Sequence, residues 1–251
     1  MARPAIRRIG RNAARLTGDI FAPQVCALTG TAADSALGPE THRLLPALPE
    51  TRCPRCDGPP GEELECGLCR AAAWRWIAAA ARWEDPWQRL IRRWKLGPEP
   101  ALTPAFADLI CELIATEDID AATCVVPIPP RGRASLLRGG RIVIDLAWSV
   151  ATRLRLPARL LLWPERPQRP QRGLQRRARL GRDQAFVVRA ALPPGTHRVL
   201  LIDDVMTTGA TMTAATRALV ASWPGLDVCG AVLARAWTEG GPGTIAHEKT
   251  L

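Results

Sequence analysis

Apolar residues along this chain fall into two kinds of run, spaced as helices and continuous as strands. Trp87, Leu90, Ile91 and Trp94 recur at i, i+3, i+4 and i+7, which is one face of a helix. Asp85 is placed to cap that helix and Pro86 to begin it, and Gly97-Pro98 ends it. The same test makes ALTPAFADLICELIAT (101–116) a second helix. RGGRIVIDLAWSVATRLRL (138–156) reads as a loop leading into a third, and GATMTAATRALVASW, from Gly209 onward, as a fourth. Three short apolar runs lack helical spacing: CVVPIPP (124–130), RVLLID (198–203) and DVCGAVLARA (227–236). Each reads as a strand buried on both faces. Strands that alternate with helices and are apolar throughout predict a parallel α/β sheet flanked by helices. RAAAWRWIAAAARWE (70–84) is Ala-rich and apolar. The Trp residues of 74–94 read as core rather than as a platform for stacked bases. No internal repeat is seen.

The pattern weakens towards the start of the chain and at its end. Residues 1–72 are rich in Pro, Gly, Cys and Arg and form a basic lead-in and a small cysteine segment. Residues 73–237 carry the α/β pattern, and 238–251 read as a flexible tail. The stretch from Trp163 to Arg182 holds seven Arg among Gln and Pro and has no clear period, so a surface loop or short helix is expected. No run of 18 apolar residues occurs, so no membrane insertion is expected. The Arg-rich N-terminus lacks the apolar core of a secretory signal, and the chain is expected to be cytoplasmic.

The chain has eight cysteines. Four form Cys53-Pro-Arg-Cys56 and Cys66-Gly-Leu-Cys69, joined across a Gly58-Pro59-Pro60-Gly61 turn. Two such knuckles can present four thiolates to one point, which suits tetrahedral zinc in a structural role. The alternative is a vestigial site or a redox pair. Cys111, Cys124 and Cys229 sit among apolar neighbours and read as buried small residues, and Cys26 has no close cysteine partner. His42 reads as a surface or turn residue, the four-sulfur set being complete without it.

Net charge is +10, most of it from Arg. It suits a phosphate-bearing partner, whether nucleic acid or small metabolite, and it also suits an Arg-, Ala-, Pro- and Gly-rich composition with no such partner. The stretch VLLIDDVMTTGATMTAA (199–215) is more informative. Ligands of open α/β folds bind beyond the carboxyl ends of the strands. Thr207, Thr208, Gly209, Ala210 and Thr211 are small, so backbone N–H groups can converge on a phosphate at the start of the next helix. Asp203 and Asp204 beside a phosphate make sense if they face ribose hydroxyls or Mg²⁺ on a pyrophosphate. Phosphoribosyl pyrophosphate carries all three groups.

VLLIDDVMTTGAT resembles the phosphoribosyl-pyrophosphate motif of type I phosphoribosyltransferases. That resemblance implies a type I phosphoribosyltransferase-like fold with Mg²⁺, Asp203 and Asp204 on the ribose and the metal's water shell, and Thr207 to Thr211 on the 5-phosphate. The order of cysteine knuckles, WEDPWQRLIRRWKLG, VPIPPRGRASLLRGG, QRGLQRRARLGRDQAF and the acidic loop, over about residues 50 to 237, is similar to the ComF family of competence-associated proteins. It implies that Arg131, Arg133, Arg138 and Gly139 meet pyrophosphate, and that Lys95 reaches an anion or else is a solvated helix-end cation. It also implies a link to DNA uptake, with single-stranded DNA or the competence helicase machinery as partners. A homo-oligomer is compatible with the pattern. The chain departs from the family where Arg138-Gly139-Gly140-Arg141-Ile142 replaces the common Arg-Gly-Phe-Asn-Gln, and in keeping fewer cysteine pairs. Two functions follow: a phosphoribosyltransferase of unspecified acceptor, and a non-catalytic protein that handles single-stranded DNA.

Overall fold

Two nine-residue strands whose apolar runs are buried throughout need cover on both faces, and the fold supplies it. The computed structural model describes residues 25–38, 40–61, 66–97, 99, 101–115, 117, 119–130, 141–165 and 186–237. The elements, in chain order, are α1 (Thr41–Leu44), α2 (Gly67–Arg70), β1 (Ile77–Ala79), α3 (Trp87–Leu96), α4 (Leu102–Leu113) and β2 (Thr123–Pro127), then α5 (Ile142–Leu154), β3 (Leu162–Pro164), β4 (Phe186–Val188), β5 (Arg198–Met206), α6 (Ala210–Ser222) and β6 (Asp227–Arg235). The main sheet runs β1-β6-β5-β2 with every pair parallel, and β3 and β4 form a small antiparallel pair. The α/β class and the helix-flanked parallel sheet read from the sequence are therefore present.

Alternate residues of β5 serve two different cores. Leu200 and Ile202 join Trp87, Trp94, Phe106 and Leu146, from α3, α4 and α5, on one face. Val199 and Leu201 join Met212, Ala215 and Leu219 of α6 on the other. The first core is pinned by rings. Phe106 lies edge-on to Trp87 and Trp94, with centroids 5.2 and 5.0 Å away, and Trp87 Nε1 donates to the Leu233 carbonyl at 2.8 Å. The tryptophans of α3 are core, as their spacing predicts. The second core takes in Cys53, Cys56, Cys69 and Trp74, so the cysteine segment packs against the sheet.

Several expectations are corrected in detail. Asp85 does not cap α3: Pro86 holds the N-cap position with helical backbone, no side chain caps it, and Asp85 pairs with Arg89 at 3.3 Å instead. The Ala-rich stretch contributes β1, an edge strand held by parallel pairing to β6. Trp163 belongs to β3, while 166–182 lie outside the described residues. β5 continues three residues past Asp203, because its pairing with β6 runs on to Met206 opposite Arg235. Cys124 and Cys229 are buried as expected, whereas Cys111 is half-buried. The side chain of His42 and the tail beyond 237 lie outside the described residues. Among the described residues no helix is long and apolar enough to cross a membrane.

Candidate ligand site and cysteine cluster

β2 pairs with β5 only as far as Pro127 opposite Ile202, so β5 overhangs its neighbour at Asp203. Past that point the carboxylates take over part of the hydrogen bonding. Asp203 Oδ1 accepts the Asp204 N–H at 2.9 Å, and Asp204 Oδ1 accepts the Val205 N–H at 2.7 Å. The two acids therefore lie within the strand and face opposite sides of the sheet, as strand geometry requires. Asp203 lines a small cleft with the loop that follows, and Asp204 turns towards α3.

Asp204 is 6% exposed and pairs with Lys95 Nζ from the end of α3. Burial pulls the Lys95 ammonium below its ordinary range, and the Asp203 carboxylate opposes that shift. The anion that Lys95 reaches within the chain is therefore the second acid of the motif, which it neutralises from a half-exposed position at the end of α3. The ring-packed face of α3 holds it there, since Trp94 is its chain neighbour and is fully buried.

The loop runs from Thr207 into α6. Gly209 is the N-cap of that helix with φ +72°, the left-handed region. A Cβ there would stand 2.5 Å from Leu68 Cδ2 and 2.7 Å from Met206 Cε, so both backbone and space call for glycine. No hydrogen bond among the described residues takes up the N–H of Thr207, Thr208 or Gly209. Such donors, at the start of a 13-residue helix, have the chemistry to receive an anion. Thr207 and Thr208 are exposed at its mouth, Ala210 begins α6, and Thr211 follows in its first turn. The cleft lined by Asp203 and by residues 205 to 212 has a volume of about 30 Å³. Arg131, Arg133, Arg138 and Gly139 lie outside the described residues.

Below the loop the four cysteines come together. The Sγ atoms of Cys53, Cys56, Cys66 and Cys69 all lie within 4.8 Å of one another, and those of Cys56 and Cys66 are 3.6 Å apart. Zn–S bonds of about 2.3 Å in a tetrahedron place sulfurs about 3.8 Å apart, so the set fits zinc. The Cys66 N–H points at Cys53 Sγ at 3.4 Å. Cys56 is pulled down to about 5, first by the Cys69 thiol that bonds to it and then by the Arg235 guanidinium. Burial pushes the Cys66 thiol up, and bonding to the Cys56 thiolate pushes Cys69 up. Thiols that compete for one negative charge are released from that competition by a divalent cation.

Arg235, at the end of β6, was missed by sequence reasoning. It is 5% exposed, and its Nη1 donates to the carbonyls of Met206 at 2.9 Å, of Thr207, and of Ala236 at 3.3 Å. Its sequence signal is a charge that closes the apolar run from Val228 to Ala234 in the strand DVCGAVLAR.

No family model and no curated protein matches the chain. Among solved structures, the adenine phosphoribosyltransferase of Leishmania donovani is similar at 17% identity over 60% of this chain and 72% of that one, with a TM-score of 0.29. The adenine phosphoribosyltransferase of Leishmania tarentolae is similar at 18% identity over 58% of this chain and 77% of that one, with a TM-score of 0.25. The parallel sheet and the strand, loop and helix around Asp203 define the fold independently of these distant likenesses.

Proposed function

We propose that the chain binds phosphoribosyl pyrophosphate with Mg²⁺ and acts as a phosphoribosyltransferase-like protein. The observation that carries this reading is the run of N–H groups at Thr207, Thr208 and Gly209 that no hydrogen bond among the described residues takes up, directly after β5, the strand that carries Asp203 and ends at Met206. These donors suit the 5-phosphate, and the Asp203 carboxylate suits a ribose diol and the water shell of the metal. Arg131, Arg133, Arg138 and Gly139 belong to the same reading as the contacts for pyrophosphate, since guanidinium groups bind phosphate oxygens in pairs. Mg²⁺, when bound, would neutralise the pyrophosphate.

Transfer needs the bond between ribose C1 and the pyrophosphate oxygen to break, the leaving group keeping the electron pair. Positive charge then grows on the sugar, and the lone pair of an acceptor base or amine forms the new bond to C1. The protein's part is to hold the 5-phosphate and diol still while cations receive the leaving group. Asp204 is held by Lys95, so its part is to set the local charge, and Asp203 takes the contact role.

Calorimetric titration with phosphoribosyl pyrophosphate and Mg²⁺, wild type beside Asp203→Asn, tests this. Binding that weakens at least about tenfold in the variant, with unchanged melting, is expected; equal affinity overturns the assignment of the site. The role in single-stranded DNA handling, with the ComF likeness behind it, rests on sequence motifs. Oligonucleotide binding that falls steeply with salt would favour that role.

A further inference from the structure

Neither the metal chemistry of the cysteines nor the phosphate chemistry of the loop accounts for Arg235, which stands between them. It is buried, its Nε has no hydrogen-bond partner, and no carboxylate among the described residues pairs with it. A guanidinium in that position is costly unless some other negative charge faces it. What faces it is the first knuckle. The Gly58 backbone lies so close that a Cβ there would sit 2.8 Å from Arg235 Nη2. Gly58 in turn accepts the Cys53 N–H at 2.9 Å, closing the turn that carries two of the sulfurs. Four thiolates around one Zn²⁺ carry two net negative charges, which an adjacent buried cation offsets.

The other end of the same side chain sets the loop. Nη1 holds the carbonyls of Met206 and Thr207. Peptide units are planar and trans, so a fixed carbonyl fixes the N–H on its opposite side. For these two peptides the N–H groups are those of Thr207 and Thr208, two of the loop donors described above. A second contact follows the same route: Leu68, between Cys66 and Cys69, packs against Gly209 at the start of α6.

We propose that Arg235 is a positioning residue that couples metal occupancy of the cysteine cluster to the affinity of the Thr207–Gly209 loop for phosphate. The metal-loaded cluster fixes Arg235 and Leu68, and these hold the loop's donors in the binding orientation. The inference rests on the reading of that loop given above.

Linkage makes the test sharp, because the two ligands must strengthen each other by the same factor. The full-length, zinc-loaded chain is titrated with phosphoribosyl pyrophosphate and Mg²⁺. Zinc transfer to a chromophoric chelator is then measured at equilibrium with and without saturating phosphoribosyl pyrophosphate. For the wild type, zinc should be held at least about fivefold more tightly when the sugar phosphate is bound. Arg235→Met should keep its zinc, bind phosphoribosyl pyrophosphate about tenfold more weakly, and show no effect of one ligand on the other. Arg235→Lys should recover only part of the coupling, since an ammonium lacks the planar fork. Leu68→Ala, which leaves the arginine in place, should weaken the coupling and serves if Arg235→Met fails to fold. A wild type that binds the sugar phosphate yet holds zinc equally well with and without it overturns the coupling and leaves the loop reading intact. Full coupling in a folded Arg235→Met overturns the role of the arginine. A wild type that does not bind phosphoribosyl pyrophosphate overturns the loop reading and this inference with it.

Discussion

Gly209→Ala tests the joint between loop, helix and cysteine segment in one substitution. The native φ of +72° costs an L-residue about 1 kcal/mol relative to glycine. The new methyl meets Leu68 Cδ2 at 2.5 Å and Met206 Cε at 2.7 Å, whereas comfortable carbon contacts begin near 3.5 Å. About 1 Å must therefore be cleared on two sides. Both obstructing atoms end flexible side chains, so rotamer shifts of about 0.5–1.5 kcal/mol each are the cheaper route than moving backbone. The sum is about 2–4 kcal/mol of destabilisation. Equilibrium urea unfolding of the zinc-loaded protein measures it, provided the denaturant slope matches wild type. Leu68→Ala in the same chain should remove part of the clash but none of the φ cost, so the double variant should lose about 1 kcal/mol less than the sum of the singles. A loss below about 0.5 kcal/mol for Gly209→Ala, or strict additivity with Leu68→Ala, refutes the packing described.

Three further outcomes are expected. Lys95→Met leaves the Asp204 carboxylate buried without its cation; because the lysine side chain is 39% exposed, the loss should be about 1–2 kcal/mol by thermal unfolding, and Asp204→Asn in the same chain should recover most of it. Phe106→Ala removes the ring that meets both Trp87 and Trp94 and should cost about 3–5 kcal/mol, read from the urea midpoint, with zinc content unchanged. Burial pushes the thiols of Cys111 and Cys124 up to about 11 and Cys229 up to about 12, so all three stay protonated at pH 8; alkylation followed by mass spectrometry should leave them unmodified in the native protein, while a chelator should expose Cys53, Cys56, Cys66 and Cys69 to the reagent.

What was legible in the sequence was local. Knuckle spacing brings sulfurs together within a few residues of chain, and the four Sγ atoms duly converge. A four-point apolar stripe such as Trp87-Leu90-Ile91-Trp94 has one helical solution, and all four side chains are buried. The turn into α6 was legible, because small residues before a helix leave backbone donors as their main chemistry, although it begins at Thr207 and not directly after Asp203. What failed was set by distant partners. β1 exists because Ile77 to Ala79 pair with β6, and an Ala-rich run carries no alternation to announce that. The extra length of β5 is likewise granted by β6, through pairs as late as Met206 opposite Arg235. Lys95 was visible as a cation, but its pairing with Asp204 needs α3 docked on the sheet.

The two adjacent acids are best understood through that docking. Strand geometry sends neighbouring side chains to opposite faces, so a pair of acids at the end of a buried strand cannot act as one carboxylate clamp. One face here offers a loop of N–H groups that no hydrogen bond among the described residues takes up, and the other offers Lys95 at the end of a ring-packed helix. Asp204 is buried, and a buried carboxylate without a cation would bring uncompensated negative charge close to any phosphate in the loop. Its pairing with Lys95 removes that charge from the balance and leaves Asp203 to face the cleft. A ligand entering there meets one carboxylate and several donors, a combination suited to a diol beside a phosphate and poorly suited to two anionic groups side by side.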